Sequence, residues 1–252
     1  MRLGIGKMVI IWGVAIIVAL GIGQYEKRKV KDIGLYDMNR VEEIEGEDIK
    51  FGYMLSDKDI DAFFPEENIK ECVDEASKTA KYAMLVKAEG QLKLYHHSMN
   101  QKVEVCKVMD TRKLKLCTGK NGSPKNGEKI WVNIDGGFDF NFYTGEEIDQ
   151  NSIYYNELAV MPMQEDNKYL IFVDDDLLNE YRKEKVYHIN QIGIEYYNLD
   201  KTESKYCNKK LEDIRYSDFK GSEFITDSKY TLKRMEEVKE MMLDKFGEFL
   251  EE

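Results

Sequence analysis

Residues 80–88 read AKYAMLVKA, in which every second residue from Tyr82 is apolar. Residues 92–97 (LKLYHH) and 102–109 (KVEVCKVM) continue the alternation. A period of two is typical of a β-strand with one buried face. This part of the chain therefore predicts a β-rich domain.

Further strand candidates follow downstream, separated by loops rich in Gly, Asn, Pro and Asp. They are residues 130–134 (IWVNI), 138–143 (FDFNFY) and 169–173 (YLIFV). Because no long helical pattern separates these segments, they favour an antiparallel sheet or a small barrel over βαβ units.

Helical patterns lie on both sides of the β-rich part. Upstream, Ser56 and Asp59 have the spacing of a capping box, which predicts short helices near residues 57–78. Downstream, an apolar stripe at intervals of three or four predicts an amphipathic helix near 230–250 that packs on the sheet. The stripe consists of Leu232, Met235, Val238, Met242, Phe246 and Phe249. The expected fold class is α+β, mainly β.

The N-terminus predicts a membrane anchor. Residues 8–23 read MVIIWGVAIIVALGIG and contain no charge. A span needs about 20 apolar residues, and residues 3–6 extend the run. We expect a basic tail at 1–7, a transmembrane helix at 8–23, a juxtamembrane stalk at 24–46 and a domain at 47–252. A cleaved signal peptide is the alternative interpretation of the same pattern.

Charge divides the chain into two parts. Residues 1–31 hold six Lys or Arg and one Glu, a net charge of +5, which leaves −16 of the total −11 to residues 32–252. Because phosphate binding needs clustered positive charge, we expect no nucleic-acid partner. The cations after the span outnumber those before it, which favours a cytoplasmic domain. The short basic tail is also how an exported chain begins, and we expect an extracytoplasmic domain.

The order of these parts resembles that of uncharacterised single-pass membrane-anchored extracytoplasmic proteins of low-GC Gram-positive bacteria. The resemblance rests on the apolar anchor and on short patterns up to about residue 175. These patterns are residues 41–44 (VEEI), 56–60 (SDKDI), 127–132 (GEKIWV), 136–137 (GG) and 168–172 (KYLIF). It implies a fold type and a location in the cell membrane, and it implies no catalytic residues.

The acidic triplet Asp174, Asp175 and Asp176 is the candidate metal site. It follows a strand of buried character, and carboxylate oxygens are ligands of Ca²⁺ and Mg²⁺. A solvated acidic turn is the alternative. The histidine pair at 96–97 points to opposite faces of a strand and cannot share one metal ion without a bulge. His188 stands alone in the sequence, and a packed or surface histidine is the simpler interpretation.

Catalytic patterns are incomplete elsewhere. The segment 217–220 (SDFK) matches Ser-x-x-Lys without its companion motifs, and 122–129 (GSPKNGEK) has Glu128 in place of the lysine of a phosphate loop. Nothing in the sequence predicts a cofactor. Cys106 and Cys117 are the best candidates for a disulfide, and free thiols are equally compatible with the spacing.

Aromatic residues are the remaining candidates for a binding surface. Phe138, Phe140 and Phe142 share one strand face and favour a core, whereas the pairs at 154–155 and 196–197 would each present one Tyr ring outward. The sequence thus predicts a membrane-tethered module that binds a protein, peptide or envelope component and has no identifiable catalytic set. The alternative is a surface hydrolase with a metal at residues 174–176 and with His188 or His97 as a candidate further ligand.

Overall fold

The computed structural model of the protein describes the following parts of the chain, all within the unit Ile33–Glu252. They are residues 35–37, 50–51, 54–95, 98–111, 122–134, 136–139, 153–156, 160–175, 185–190, 194–200, 202, 204–219 and 221–251. The predicted membrane span at 8–23 lies outside them. Among the described helices, none has the length and apolarity to cross a bilayer.

Ten strands and four α-helices are present in the described residues, together with short 3₁₀ turns. The strands are β1 (Leu35–Asp37), β2 (Lys50–Phe51), β3 (Tyr82–Tyr95), β4 (Ser98–Asp110), β5 (Lys129–Ile134), β6 (Gly136–Asp139), β7 (Ile153–Asn156), β8 (Lys168–Asp175), β9 (Val186–Ile189) and β10 (Tyr196–Asn198). The helices are α1 (Asp57–Phe63), α2 (Ile69–Thr79), α3 (Lys229–Lys245) and α4 (Gly247–Leu250). Strand β1 lies within the segment for which the sequence predicts a stalk.

The long strand β3 bends and thereby changes partners along its length. Residues 82–87 pair with β8, and residues 91–93 pair with β1. The pairing of β3 with β4 shifts register twice, and Gly90 in the second shift has φ +67°. Such bulges increase the local bend of a strand. The bend lets β3 take part in a curved sheet that closes on itself.

The main sheet is a five-stranded barrel with the order β3-β4-β5-β9-β8, closed by the pairing of β8 with β3. The small-barrel alternative is therefore the one the structure adopts. Within the barrel, β5 and β9 are parallel and the other pairings are antiparallel. Strand β10 adds to the β8 edge beside β9. Strands β2, β7 and β6 form a second, smaller sheet.

Apolar side chains fill the barrel. Register partners share a face, and the inward positions are almost completely buried. They include Met84, Val86, Ala88, Val103, Val105, Ile130, Val132, Ile134, Ile171, Val173, Tyr187 and Ile189. Gln101 is also inward and buried, and its carboxamide accepts the Met163 backbone N–H at 2.9 Å and donates to the Met163 carbonyl. This pair of bonds fixes the segment that enters β8.

The helices cover one side of the barrel. Ser56 caps α1, and its backbone N–H donates to the Asp59 carboxylate at 2.9 Å, as the capping-box pattern predicts. In the C-terminal helix, Met235, Val238 and Met242 are fully buried. Phe246 is also buried, and Leu232 and Phe249 at the two ends of the stripe are partly buried against the core. The predicted packing of this helix on the sheet is confirmed by contact between the Phe246 ring and Phe172 of β8, with centroids 5.3 Å apart.

Candidate functional site

The acidic triplet does not form a single cluster in the part that the structure describes. Asp174 and Asp175 end β8, and Asp176 lies outside the described residues. Because neighbours on a strand point to opposite faces, Asp174 is directed outward and Asp175 inward. Asp174 is half-buried, whereas Asp175 is 5% exposed. The two carboxylates therefore lie in different environments, one on the outer face of the barrel and one on the inner face.

Two hydrogen bonds hold the Asp174 carboxylate in place. Its Oδ1 accepts the backbone N–H of Lys81 at 2.7 Å, and its Oδ2 accepts from Asn190 Nδ2 at 2.7 Å. Lys81 precedes β3, and Asn190 follows β9. Asp174 thus ties together the two strands on either side of β8.

The Asp175 carboxylate pairs with a lysine. Its Oδ2 lies 2.5 Å from Lys81 Nζ, and the Asp175 side chain is 1% exposed. Burial opposes the lysine charge, but hydrogen bonds to Asp175 and Tyr82 and their charges hold the pKa of Lys81 above its usual value. Asp175 Oδ1 is buried and has no hydrogen-bond partner among the described residues. An ammonium group, therefore, already neutralises this carboxylate.

No group of three His, Cys, Asp or Glu side chains among the described residues is arranged to hold a metal ion. Since Asp176 is outside that part of the chain, the metal site at Asp174, Asp175 and Asp176 stays a prediction.

His188 lies beside the triplet. It is directly opposite Asp174 in the antiparallel pairing of β8 and β9, so both side chains are on the outer face of the barrel. The histidine is half-buried and makes no hydrogen bond or ion pair within the described chain. The histidine pair at 96–97 lies outside the described residues. The hydrolase alternative already combines His188 with the acidic triplet, and strand pairing brings His188 next to Asp174.

A row of polar side chains runs from this pair across the outer face of the barrel. Asn133 of β5 is in register with His188, and Asn100 of β4 is in register with Asn133. We refer to Asn100, Asn133, His188 and Asp174 as the polar row. Adjacent strands lie about 4.8 Å apart, so the row spans roughly 14 Å.

Burial increases along the polar row toward β4. Asp174 and His188 are half-buried, Asn133 is 9% exposed and Asn100 is completely buried. Among the described residues, neither polar atom of the Asn100 carboxamide has a hydrogen-bond partner, and Asn133 Oδ1 has none. Each buried polar group left unpaired costs about 1–3 kcal/mol. Groups of this kind are few in native proteins and call for an explanation.

Sequence reasoning missed the two asparagines. Asn133 lies among apolar residues in β5, which was the available signal, whereas the outward positions of β4 next to Asn100 are themselves polar. A single polar residue on an outward face is ordinary, however, and only the register brings Asn100 and Asn133 together.

Charged side chains cover Trp131, which lies next to the polar row on the outer face of the barrel. Trp131 is 7% exposed, and its ring centroid lies 4.8 Å from Lys93 Nζ and 5.8 Å from Lys102 Nζ. Glu89 forms ion pairs with Lys102, at 3.6 Å, and with Lys129. The indole ring is therefore covered by lysines and offers little free face for stacking.

The prediction for the tyrosine pair at 196–197 was wrong. Both rings are fully buried in β10. The Tyr196 hydroxyl donates to the Met161 carbonyl at 2.6 Å, and Tyr197 packs on Phe172, which the C-terminal helix covers. A strand covered on both faces exposes neither of two neighbouring rings. Side chains at 138–143 and 154–155 lie outside the described residues.

The other sequence patterns have structural roles where they are described. Gly127, with φ +76°, lies in a turn before β5, and Glu128 forms an ion pair with Lys185 at 2.8 Å. Asp218 of the segment 217–220 pairs with Lys209 at 2.6 Å. Neither segment shows a phosphate-binding or acyl-transfer arrangement in its described residues.

Comparisons with known proteins leave the site to be interpreted from its own geometry. A scan against protein-family models and searches of curated proteins and of solved structures find no match to the chain. Five-stranded Greek-key barrels include the OB-folds, but the architecture alone does not define a function.

Proposed function

We propose that the protein is a membrane-tethered binding or interaction module whose domain lies outside the cytoplasm. The observation that carries the binding role is the polar row, in which the Asn100 carboxamide and Asn133 Oδ1 are buried without a hydrogen-bond partner in the part of the chain that the structure describes. Native proteins depart from local structural rules mainly at functional or strained sites. The row is therefore where we place the partner.

The proposal of a membrane tether is based on residues 8–23, which form an uncharged apolar run followed by basic residues. We propose that this segment spans the cell membrane once and that the acidic body is extracytoplasmic. Fusion of alkaline phosphatase after Asp32 tests the orientation, because the enzyme is active only after export. An inactive phosphatase fusion together with an active cytoplasmic reporter at the same position would refute it.

The proposed partner is a protein, a peptide or an envelope component. The net charge of −16 on residues 32–252 disfavours nucleic acids and other polyanions. The row lies on the outer face of the barrel, where the pairing of Asn133 with His188 joins β5 to β9.

Photo-crosslinking in cells tests the binding role. A benzophenone amino acid replaces His188, which is half-buried in the row, and Glu75 on α2, whose side chain is 79% exposed, is the matched control position. We expect discrete adducts from position 188 and none from position 75. Adducts at neither position, or the same adducts at both, would contradict a partner at the row.

A surface hydrolase with a metal at residues 174–176 is the second candidate. The specific observation in its favour is the register of His188 with Asp174, which supplies a nitrogen and an oxygen donor on one face. Metal analysis of the full chain, purified without chelators, separates the candidates. Stoichiometric metal that is lost in Asp174→Asn and retained in Glu75→Gln would replace the binding module with the hydrolase.

A further inference from the structure

We propose that an amide bond joins Lys81 Nζ to Asp175 Cγ and thereby cross-links β3 to β8. The inference concerns the covalent structure of the domain and does not depend on the proposed binding function. It starts from the contact between the two side chains, in which Lys81 Nζ lies 2.5 Å from Asp175 Oδ2. Lys81 directly precedes β3 and Asp175 ends β8, and the pairing of these two strands closes the barrel.

The contact brings the two reacting atoms together. The Asp175 Cγ is one bond beyond Oδ2, so the lysine nitrogen lies roughly 3–3.5 Å from it, which is the separation of a near-attack geometry. The fold holds both partners, because the Lys81 backbone N–H donates to Asp174 Oδ1 at 2.7 Å and Tyr82 is in register with Val173. The reaction is therefore intramolecular, with the high effective concentration of two oriented groups.

Burial favours the loss of both charges. The Asp175 side chain is 1% exposed and that of Lys81 is 19% exposed. Asp175 is also in register with the buried Tyr187, and Asp175 Oδ1 has no hydrogen-bond partner in the described part of the chain. A buried oxygen without a partner is more costly on an ionised carboxylate than on a neutral amide. Amide formation removes the two charges and leaves a neutral carbonyl at Oδ1.

The reaction balances without an added reactant. The Lys81 ammonium transfers one proton along its hydrogen bond to Asp175 Oδ2, and the free amine then attacks Cγ and forms the C–N bond. The bond from Cγ to Oδ2 breaks, and this oxygen leaves as water with the transferred proton and a second proton from the nitrogen. Oδ1 becomes the amide carbonyl oxygen, and one hydrogen stays on the nitrogen. An ammonium and a carboxylate thus give one amide and one water, with no oxidation or reduction.

The ammonium form of Lys81 is compatible with this step. Burial opposes the lysine charge, but Asp175 and Tyr82 hold the pKa of Lys81 above its usual value, which disfavours release of the proton to solvent. Transfer to Asp175 keeps the proton within the pair and converts a buried ion pair into two neutral groups, whose burial costs less. Because Asp175 is almost completely buried, water has little access to hydrolyse the amide once it has formed.

The cross-link would stabilise the domain through the unfolded state. It joins residues 94 positions apart in the sequence, and closure of a long loop restricts the unfolded chain. Cys72, Cys106 and Cys207 are free thiols, so no disulfide supplies such a cross-link among the described residues. The amide is therefore the covalent restraint available to the described part of the barrel.

Peptide mass spectrometry of the full chain, purified in detergent, denatured and digested with trypsin, tests the proposal. Trypsin does not cleave after an acylated lysine, so the amide gives a branched peptide that joins residues 79–87 to residues 169–182. We expect this peptide, with a mass one water below the sum of its two parts and fragment ions that place the bond on Asp175. Recovery of these segments only as separate peptides, with cleavage after Lys81, would overturn the proposal. A bond to Asp174 or Asp176 would also overturn it.

Gel electrophoresis of matched variants gives a second test. Lys81→Arg keeps a positive charge beside Asp175 but has no primary amine, and Lys209→Arg is the control because Lys209 pairs with Asp218 at the surface. After heating in SDS and reductant, we expect the unsubstituted protein and Lys209→Arg to migrate faster than Lys81→Arg, since a closed loop keeps a denatured chain more compact. The comparison uses denatured chains, so it does not require Lys81→Arg to fold. Equal migration of all three would mean that Lys81 and Asp175 form only an ion pair, which overturns the proposal.

Discussion

Replacement of Lys239 by methionine is expected to destabilise the protein by about 3 kcal/mol at pH 7. Lys239 is on α3, and its ammonium lies 2.5 Å from Glu223 Oε2. The Glu223 side chain is 1% exposed, and its Oε1 accepts the backbone N–H of Asn198 in β10 at 2.7 Å. The backbone carbonyl of Glu223 also accepts the Met161 N–H at 2.9 Å. Glu223 thus joins the terminal helix to the barrel.

The magnitude has two bounds. Removal of one partner of a buried ion pair costs about 3–5 kcal/mol if the remaining charge stays ionised. The Glu223 carboxyl can instead bind a proton, which costs about 1.4 kcal/mol for each pH unit above its usual pKa of 4.5. Because burial already raises the pKa of Glu223 above 4.5 in the unsubstituted protein, this cost is at most about 3.4 kcal/mol at pH 7 and about 2 kcal/mol at pH 6. The variant adopts whichever of the two states, ionised or protonated Glu223, has the lower free energy. Because protonation costs less at lower pH, the loss of unfolding free energy decreases as the pH falls.

The sign of the pH dependence follows from the pKa of Glu223. Burial raises this pKa above 4.5, against the lowering effects of Lys239 and the Asn198 N–H. The folded state therefore binds a proton more tightly than the unfolded state, and the stability contributed by this group falls as the pH rises from about 4.5 through the folded-state value. Without Lys239 the pKa rises further, and the decline extends toward neutral pH.

Urea denaturation of the full chain in mild detergent at pH 5, 6 and 7 measures the effect. The chain has two tryptophans, so Trp12→Phe leaves Trp131 as the fluorescent reporter in all samples. Lys209→Met is the control, because the Lys209–Asp218 pair is more exposed and should change the stability by less than about 1 kcal/mol. A loss below about 1 kcal/mol for Lys239→Met at pH 7, or one that does not vary from pH 5 to 7, would refute the reasoning.

Three further substitutions test the fold by the same unfolding assay. Gly90→Ala should cost about 1–2 kcal/mol, because φ is +67° there and the new Cβ would approach the Glu165 carboxyl carbon to 2.7 Å; a neutral effect would contradict a required glycine. Ser56→Ala should cost about 1 kcal/mol through loss of the α1 cap, whereas Ser56→Asp should retain most of the stability. Phe246→Ala should cost about 3–5 kcal/mol because the ring is buried against Phe172, and a loss below 1 kcal/mol would mean that the terminal helix is not held there.

Local patterns predicted the elements of this fold better than their arrangement. Alternation identified the segments of β3, β4, β5 and β8, and the capping box and the apolar stripe identified helices at both ends. The pairing of the strands was harder to predict from the sequence. The parallel pairing of β5 with β9 joins segments more than fifty residues apart and has no local signal.

The site was predictable only in part for the same reason. Asp174 attracted attention because it lies in a run of acids, but His188 and Asn133 become its neighbours through two strand pairings. The tyrosine pair at 196–197 illustrates the opposite error. Tyr196 packs against Tyr169 and Tyr197 packs against Phe172, and a strand sequence does not reveal what covers its two faces.

The outer surface of the barrel is used in two ways, and the contrast supports the assignment of the site. On β8, Phe172 is outward and is covered by the C-terminal helix. Burial of this apolar ring stabilises the fold. On β4 and β5, Asn100 and Asn133 are almost as buried as the inward Val103 and Val132, yet they bring unpaired polar atoms with them. Apolar residues at these two positions would satisfy packing without that cost. A requirement of stability alone therefore does not account for the two carboxamides.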